Sequence, residues 1–257
     1  MPEPSAFRAR VLAGELLIGT FLGLGAPVAV EAAGRSGLDW LLLDLEHGGA
    51  TEADLLPQLY AAQVTGVPAL VRVESSERLR FGRALDLGAG GIMVPRLETV
   101  DEVRRAVSYL RWPPSGMRGV ALGARGAMNA GIGHADVATW SERLSLVVQV
   151  ENPSIVDAAA EVAAIDGVDV LFVGPTDLSH SLGVAGQFGH ERQLAAYERV
   201  IAACRGAGKS PGILLRRTED LERHVEMGFR FIGVGSDMNF IIDGAAAAVA
   251  AGRRIPV

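Results

Sequence analysis

Short apolar runs alternate with longer segments of mixed polarity along the whole chain. Eight runs are leucine-rich or β-branched, as expected of strands buried on both faces of a parallel sheet; they cover residues 16–22, 40–45, 69–73, 91–94, 146–150, 170–173, 212–215 and 231–234. The segments between them predict helices over residues 52–64, 77–87, 100–110, 154–165, 191–207 and 218–227, with Thr51 and Thr218 as N-caps. Eight strands separated by helices predict an α/β fold, a (β/α)8 barrel that forms a single domain over residues 1–257.

An open, doubly wound sheet is the alternative architecture, because it has the same alternation of strands and helices. Such a sheet usually carries a glycine-rich phosphate-binding loop after its first strand. The corresponding segment, Gly23-Leu24-Gly25-Ala26-Pro27, lacks the third glycine of that pattern. We therefore interpret it as a turn and prefer the closed barrel.

Two segments depart from the regular alternation. Residues 95–145 form an unusually long connection, rich in Gly and Pro from 112 to 135. A connection of this length is usually functional or disordered, and its small residues favour an ordered lid or an oligomer contact. Residues 244–252 predict an alanine-rich helix without the polar stripe of a surface helix, so we expect another subunit to cover it.

Composition narrows the class of protein. Of the 257 residues, 49% are hydrophobic and 21% charged, which excludes a disordered chain. No apolar run approaches the roughly 20 residues of a membrane span, and residues 1–10 lack the apolar core of a signal peptide. The net charge is −6, no basic cluster occurs, and Cys204 is the single cysteine. We expect a cytoplasmic protein without a disulfide that binds neither nucleic acid nor membrane.

Carboxylates follow two neighbouring strands of the predicted barrel. Glu151 comes directly after the fifth strand and Asp177 shortly after the sixth. Barrels carry their chemistry at the C-terminal ends of strands, where two adjacent carboxylates repel each other unless a cation lies between them. A hard divalent ion such as Mg²⁺ or Mn²⁺ fits this ligand set. The structural alternative is that Glu151 pairs with Arg72 while Asp177 caps the next helix.

Further polar residues interrupt the second, third and fifth strands near their ends. His47 lies three residues after Asp44, a spacing typical either of a general base held in one tautomer or of a turn histidine. Arg72 inside an apolar strand needs an anionic ligand, an enolate or a buried salt bridge. Gln149 shares a strand face with Glu151, so we expect it to line the same interior.

The turn Gly174-Pro175-Thr176-Asp177 presents backbone N–H groups between a strand and a helix. Such groups bind carboxylates well, so Thr176 and Asp177 are candidates for a substrate-binding turn. The similar turn at residues 235–237 is better explained as a plain helix N-cap.

Five motifs occur in a fixed order along the chain: Asp44-Leu45-Glu46-His47; Val94-Pro95 followed by Glu98-Thr99; Pro113-Pro114-Ser115-Gly116-Met117-Arg118-Gly119; Gln149-Val150-Glu151-Asn152; and Val173-Gly174-Pro175-Thr176-Asp177-Leu178-Ser179. Together they resemble the HpcH/HpaI aldolase family over about residues 19–237. The resemblance implies a metal-dependent class II aldolase, typified by 4-hydroxy-2-oxoheptanedioate and 2-dehydro-3-deoxyglucarate aldolases. Such an enzyme joins the enolate of a 2-oxo acid, pyruvate or hydroxypyruvate, to an aldehyde and catalyses the reverse cleavage.

The resemblance also implies how the metal and the 2-oxo acid bind. Glu151 and Asp177 would bind a divalent ion, Mg²⁺, Mn²⁺ or Co²⁺, which chelates the carboxylate and keto oxygens of the acid. The backbone at Thr176 and Asp177 would hold the substrate carboxylate, and Gly174, Pro175 and Thr176 would belong to the substrate-binding site.

Catalytic roles follow from the same resemblance. Arg72 would stabilise the enolate oxygen, and Gln149 would contact the bound acid or a metal-bound water. His47, assisted by Asp44, would transfer protons. Asp86 would support the base histidine across a subunit contact.

Two departures from the family pattern leave the acceptor aldehyde open. Phe21 stands where family members often have tryptophan, and the arginine-rich stretch after Arg118 is altered at residues 123–127. Both regions are expected to touch the aldehyde, and Val120 and Leu214 are further candidates for its pocket.

Two further expectations concern the assembly of subunits and the activities that could use the same site. The resemblance implies a homo-oligomer, a hexamer built as a trimer of dimers, whose last helix packs on a neighbour. A class I aldolase is disfavoured because Lys209, the single lysine, precedes the seventh strand and so lies opposite the chemistry. An oxaloacetate decarboxylase or a citramalyl/malyl-type lyase could use the same metal site. A barrel that binds a 2-oxo acid without turnover is the last alternative.

Overall fold

Eight parallel strands close into a barrel in sequence order, and β1 pairs with β8 to complete it. The computed structural model describes residues 4–128 and 131–255. The strands are β1 (Leu17–Leu22), β2 (Trp40–Asp44), β3 (Ala69–Arg72), β4 (Gly91–Val94), β5 (Ser145–Val150), β6 (Val170–Val173), β7 (Ser210–Leu215) and β8 (Phe231–Ser236). The predicted (β/α)8 barrel is confirmed, and the open sheet is excluded.

Helices surround the barrel and run back along its outside. They are α1 (Pro4–Leu12), α2 (Pro27–Gly34), α3 (Glu52–Thr65), α4 (Arg78–Asp86), α5 (Val100–Leu110), α6 (Arg125–Met128), α7 (Val137–Trp140), α8 (Pro153–Asp157), α9 (Ala159–Ala164), α10 (Pro175–Ser181), α11 (Glu191–Ala207), α12 (Leu221–Met227) and α13 (Asp237–Gly252). The helix predicted over residues 154–165 is two helices, because Ala158 lies outside the α-conformation at φ −90° and ψ 6°.

Of the two predicted N-caps, Thr51 is confirmed and Thr218 is wrong. Thr51 does precede α3, and its N–H and hydroxyl both donate to Asp54 at 2.8 Å. Thr218 does not act as a cap, because it is itself the first residue of a 3₁₀ turn and Arg217 stands at the cap position. Ser236 is the N-cap of α13, as the sequence predicts, and accepts from the N–H of Asn239 at 3.2 Å.

Aromatic side chains fill the inside of the barrel. Trp40 stacks on Phe231 with ring centroids 4.3 Å apart. Gly19 makes room for them, because a Cβ there would lie 2.1 Å from the Trp40 ring. Phe7 and Val11 of α1 join the same cluster and so close the N-terminal end of the barrel. The interior is therefore a packed core, and space for chemistry is left only at the opposite end.

The long connection between β4 and β5 is ordered along its described part and lies at the N-terminal end of the barrel. Its first helix, α5, returns the chain to that end. Arg118 then pairs with Asp86 at the end of α4 at 2.8 Å, and Arg125 donates to the Leu87 carbonyl at 2.6 Å. Both arginines attach the connection to the end opposite the C-terminal ends of the strands, so it does not form a lid over that end of its own chain. The alternative, an oligomer contact, stays a prediction.

The last helix leaves most of its surface uncovered. Asp237 is the buried residue of α13. The helix exposes large apolar side chains at Phe240, Ile241, Ile242 and Val249.

Over the described residues, no helix combines the length and apolar character needed to cross a membrane.

Candidate active site

The interior faces of the strands pass from the apolar core into a polar layer at the C-terminal end of the barrel, here called the mouth. Leu70 and Val147 belong to the inner core, and Arg72 and Gln149 follow them two positions later on β3 and β5. Because strand side chains alternate, these polar residues also face inward. Asp44 pairs in register with Arg72 across β2 and β3, which places the opposite charges side by side.

Arg72 is buried and holds two carboxylates. Its Nε and Nη2 donate to the two oxygens of Asp44 at 2.8 and 2.5 Å. Its Nη1 lies 3.0 Å from Oε2 of Glu46, an ion pair without hydrogen-bond geometry, so that this buried oxygen keeps accepting capacity. Burial acts to raise the pKa of Asp44, but the hydrogen bonds and charge of Arg72 outweigh it and lower the pKa. The structural alternative, a pair between Arg72 and Glu151, is not the arrangement found.

The imidazole of His47 stands at the rim of the mouth with 62% of its side chain exposed. The Asp44 carboxylate accepts from the backbone N–H of His47 at 3.3 Å. Asp44 contacts the backbone of His47 and not its ring, because Arg72 and backbone N–H groups occupy the carboxylate. The assistance that Asp44 would give to His47 as a base stays a prediction. Glu46 is the carboxylate near the ring, with Oε2 3.7 Å from Nε2.

Glu151 is held through both of its carboxylate oxygens. The side-chain amide of Gln149 donates to Oε1 at 2.5 Å, and the backbone N–H of Arg96 donates to Oε2 at 3.2 Å. Gln149 thus lines the same interior as Glu151, as its strand position predicts. The carbonyl oxygen of the Gln149 amide is buried and lacks a partner among the described residues.

Electrostatics single out Glu151 within the mouth. Burial, followed by the negative charges of Asp177 and Glu46, raises the pKa of Glu151 to about 7, while the Arg96 N–H and Arg72 oppose the rise. Burial also raises the pKa of Glu46. A cation placed among these carboxylates would relieve both the repulsion and the cost of burial.

The β6–α10 turn brings Asp177 to the same place. Gly174 is the N-cap of α10 and Pro175 its first residue, which puts Asp177 in the first turn without a side-chain capping bond. A Cβ on Gly174 would lie 2.9 Å from Oε1 of Glu151. The turn and Glu151 are therefore in close contact, and glycine is needed where they meet. Thr176 lies between Pro175 and Asp177 at the start of the helix.

This donor set fits a hard divalent cation. No group of three or more His, Cys, Asp or Glu side chains in the described ranges could enclose a metal on its own. Mg²⁺ usually binds through one or two carboxylates and takes its remaining ligands from water and substrate. The buried carboxylate of Glu151, the exposed carboxylate of Asp177 that repels it, and an unpartnered amide oxygen beside them match that mode of binding.

Apolar residues form the floor beneath the charges. Phe21 is 4% exposed, and the Arg72 guanidinium lies 5.1 Å from its ring centroid. Leu214 of β7 packs against the same inner core, and both side chains approach Gly233. Phe21 thus supports Arg72 from below, and Leu214 is the more accessible of the two.

Asp86 and Val120 do not belong to the mouth of this chain. Asp86 ends α4 and bonds Arg118, and Val120 follows two residues later with 46% of its surface exposed. Both lie at the N-terminal end of the barrel, because α4 and α5 run antiparallel to the strands. Neither can contact a substrate in the same chain's mouth. Lys209 also lies at that end, where it lines a surface groove of about 580 Å³ beside Asp166.

Two residues of the site, Glu46 and Arg96, were not predicted from the sequence. Glu46 lies within a quoted motif, and its spacing of two from Asp44 is a signal that both face the same way. Arg96 contributes its backbone N–H, and nothing in the side-chain pattern indicates that.

The chain is similar in sequence and fold to known proteins. A model of the HpcH/HpaI aldolase/citrate lyase family matches residues 17–244. The chain is 38% identical over 241 residues to the hydroxypyruvate/pyruvate aldolase of Delftia acidovorans, covering 94% of this chain and 90% of that one. It is 36% identical over 235 residues to the 5-keto-4-deoxy-D-glucarate aldolase of Klebsiella pneumoniae, covering 91% of each. A solved HpcH/HpaI aldolase/citrate lyase family structure from Burkholderia cenocepacia superposes with a TM-score of 0.91 at 36% identity, covering 97% of this chain and 99% of that one.

The chain belongs to the HpcH/HpaI aldolase/citrate lyase family. The resemblance drawn from the five motifs is thereby confirmed. The relatives also confirm the predicted class of enzyme, a carbon–carbon lyase of the aldolase type.

Proposed function

We propose that this protein catalyses reversible aldol addition between a 2-oxo acid and an aldehyde with the help of a divalent metal ion. The observation that carries the proposal is the buried Glu151, surrounded by Asp177, Glu46 and Arg72 at the mouth of the barrel. The named activities of the relatives favour pyruvate or hydroxypyruvate as the 2-oxo acid.

Glu151 and Asp177 are the proposed metal ligands. Mg²⁺, Mn²⁺ or Co²⁺ bound there would act as a Lewis acid on the keto oxygen of the 2-oxo acid and ease loss of a proton from the neighbouring carbon. The backbone N–H groups of Thr176 and Asp177 stand at the start of α10, where they can receive the substrate carboxylate.

Arg72 is the proposed cationic partner of the developing enolate oxygen. A guanidinium held by Asp44 and Glu46 is preorganised, so it needs no reorientation as charge develops. The ion pair with Glu46 lacks hydrogen-bond geometry, and Nη1 of Arg72 therefore keeps donor capacity for an oxyanion. Gln149 orients the Glu151 carboxylate from one side.

His47 is the proposed proton carrier. An exposed imidazole at the rim can exchange protons with solvent and with a substrate in the mouth. Glu46 lies beside the ring, with its Oε2 3.7 Å from Nε2. This assignment gives Asp44 an indirect role through Arg72 and the His47 backbone.

The assembly we propose is a homo-oligomer, a hexamer, located in the cytoplasm. The uncovered apolar side chains of α13 support association of subunits. Asp86 and Val120 lie far from the mouth of their own chain. In the proposed assembly they would contact the active site of a neighbouring subunit. Phe21 and Leu214 would form the floor of the aldehyde pocket, on its side facing the barrel core.

The test combines metal titration with turnover. We expect Glu151→Gln and Asp177→Asn each to lose metal-dependent cleavage of a 4-hydroxy-2-oxo acid and to bind Mn²⁺ at least about tenfold more weakly. Glu226→Gln changes an exposed glutamate on α12 and should behave like the unmodified protein. Normal turnover in either site variant would refute the proposed metal site.

A further inference from the structure

Arg96 has a backbone conformation that its residue type disfavours. Of the non-glycine residues that the structure describes, it alone has a positive φ, 54°. The left-handed region is unfavourable for an L-residue, by a free energy comparable to that of one hydrogen bond. Such residues persist only where the surrounding structure enforces the conformation. Strained residues of this kind cluster at functional sites, which directs attention to what Arg96 touches.

The strained residue directs one group into the site. The Arg96 N–H donates to Oε2 of Glu151 at 3.2 Å. Gln149 donates to the other oxygen at 2.5 Å. Because the two donors hold opposite oxygens, together they fix the plane of a carboxylate whose direction would otherwise depend on three rotatable side-chain bonds.

The segment around Arg96 is fastened on both sides. Pro95 precedes it and restricts the backbone. Leu97 follows with its side chain in the core, and its carbonyl accepts from the Asn152 side chain at 2.8 Å. The end of β4 is thus joined to the end of β5 by two bonds, one to Glu151 and one from Asn152. The left-handed turn at Arg96 lies between these fixed points.

The side chain of Arg96 is not what holds this geometry. It is exposed, and the structure gives it no hydrogen bond or ion pair with the described residues. The guanidinium can therefore be removed without breaking a contact, while the backbone requirement remains.

We propose that Arg96 is a positioning residue, whose left-handed backbone aims its N–H at Glu151 and so sets the direction of the carboxylate toward a bound divalent ion. The inference rests on the proposed function, in which Glu151 is a metal ligand. It adds that the metal site depends on the backbone conformation at Arg96 and not on its charge.

The test separates backbone from side chain with three variants of the full-length protein. Arg96→Gly and Arg96→Asn remove the guanidinium but tolerate a positive φ. Arg96→Val removes the same charge, but its β-branched side chain disfavours that region. Mn²⁺ is titrated into each metal-free protein by calorimetry, and thermal midpoints are recorded alongside.

We expect the Gly and Asn variants to bind Mn²⁺ within about threefold of the unmodified protein. We expect the Val variant to bind about tenfold more weakly, because a β-branched residue is less compatible with a positive φ than the arginine it replaces. Should Arg96→Val fail to fold, Arg96→Thr, which is also β-branched, serves in its place. Equal weakening of all variants would assign the effect to the guanidinium and overturn the proposal, as would equal affinity for Gly and Val.

Glu151→Gln, measured in the same titration, distinguishes the two levels of inference. If it binds Mn²⁺ normally, the metal site itself is wrong and the role of Arg96 toward it falls too. If it weakens binding while the Gly and Val variants match, only the positioning role of Arg96 is overturned.

Discussion

Arg72 and Asp44 form a two-bond ion pair between neighbouring strands, with Nε and Nη2 donating to Oδ1 and Oδ2 at 2.8 and 2.5 Å. Both groups are buried, so neither charge can be left alone without a large desolvation penalty. The pair turns one edge of the guanidinium toward β2 and leaves Nη1 facing Glu46 and the mouth. Its geometry therefore determines which side of Arg72 can face a substrate.

Breaking this pair should cost stability. Asp44→Asn leaves Arg72 with Glu46 alone, and we expect it to lower the free energy of unfolding by about 3 kcal/mol, the lower end for a buried pair. Urea denaturation of the metal-free protein measures the change. Glu31→Gln breaks the exposed Arg35–Glu31 pair and should change stability by less than about 0.5 kcal/mol. A cost for Asp44→Asn no larger than this control would contradict the assigned role.

Metal-free protein should become less stable as the pH rises from about 4.5 to 7. Glu151 has its pKa raised from 4.5 to about 7 in the folded state, so over this interval the folded chain keeps a proton that the unfolded chain has lost. The unfolded state therefore gains relative stability with rising pH, by about 2–3 kcal/mol in total. Glu151→Gln removes the titrating group and should flatten this part of the curve, whereas Glu226→Gln should retain it. A slope that persists in Glu151→Gln would assign it to other groups.

Proton transfer should depend on His47. Its replacement by alanine leaves the buried carboxylates unchanged, so metal binding should persist while exchange of the substrate's C3 protons falls by about 10²-fold or more. Exchange is followed by proton NMR and metal binding by calorimetry. His134→Ala changes an exposed histidine of the long β4–β5 connection, at the opposite end of the barrel, and provides the control. Unchanged exchange in His47→Ala would require a different base.

Gly174 should accept no side chain. A Cβ there would approach Oε1 of Glu151 to 2.9 Å, which forces the carboxylate out of its position. We expect Gly174→Ala to weaken Mn²⁺ binding by about tenfold or more. Gly189→Ala introduces the same methyl group where nothing lies within 4 Å and should leave affinity unchanged. Equal affinities for the two variants would mean that the carboxylate can move without loss.

The barrel and most of its mouth could be predicted because they follow from strand periodicity. Arg72 and Gln149 interrupt apolar strands at positions that must face inward, and Glu151 continues one of those strands. The path of the long connection could not be predicted in the same way. Asp86 and Val120 are placed by the Arg118 and Arg125 contacts, which join residues over 30 positions apart and leave no local pattern.

The role of Arg96 was hidden for a different reason. From its residue type, Arg96 would be expected to contribute the positive charge of its side chain to the mouth. It instead contributes its backbone N–H, which donates to Glu151 from an unusual backbone conformation. Residue type favours the opposite conformation there, and the hydrogen bonds made by Leu97 and Glu151 accompany the observed one.

Metal-dependent enolisation is the central claim, and proton NMR of pyruvate in D₂O tests it most directly. The enzyme is freed of metal, and the methyl signal is followed with and without added Mg²⁺. We predict that the signal disappears through deuterium exchange only when the metal is present, and that Glu151→Gln abolishes the effect. Exchange that is equally fast without metal, or no exchange with either pyruvate or hydroxypyruvate, would contradict the account.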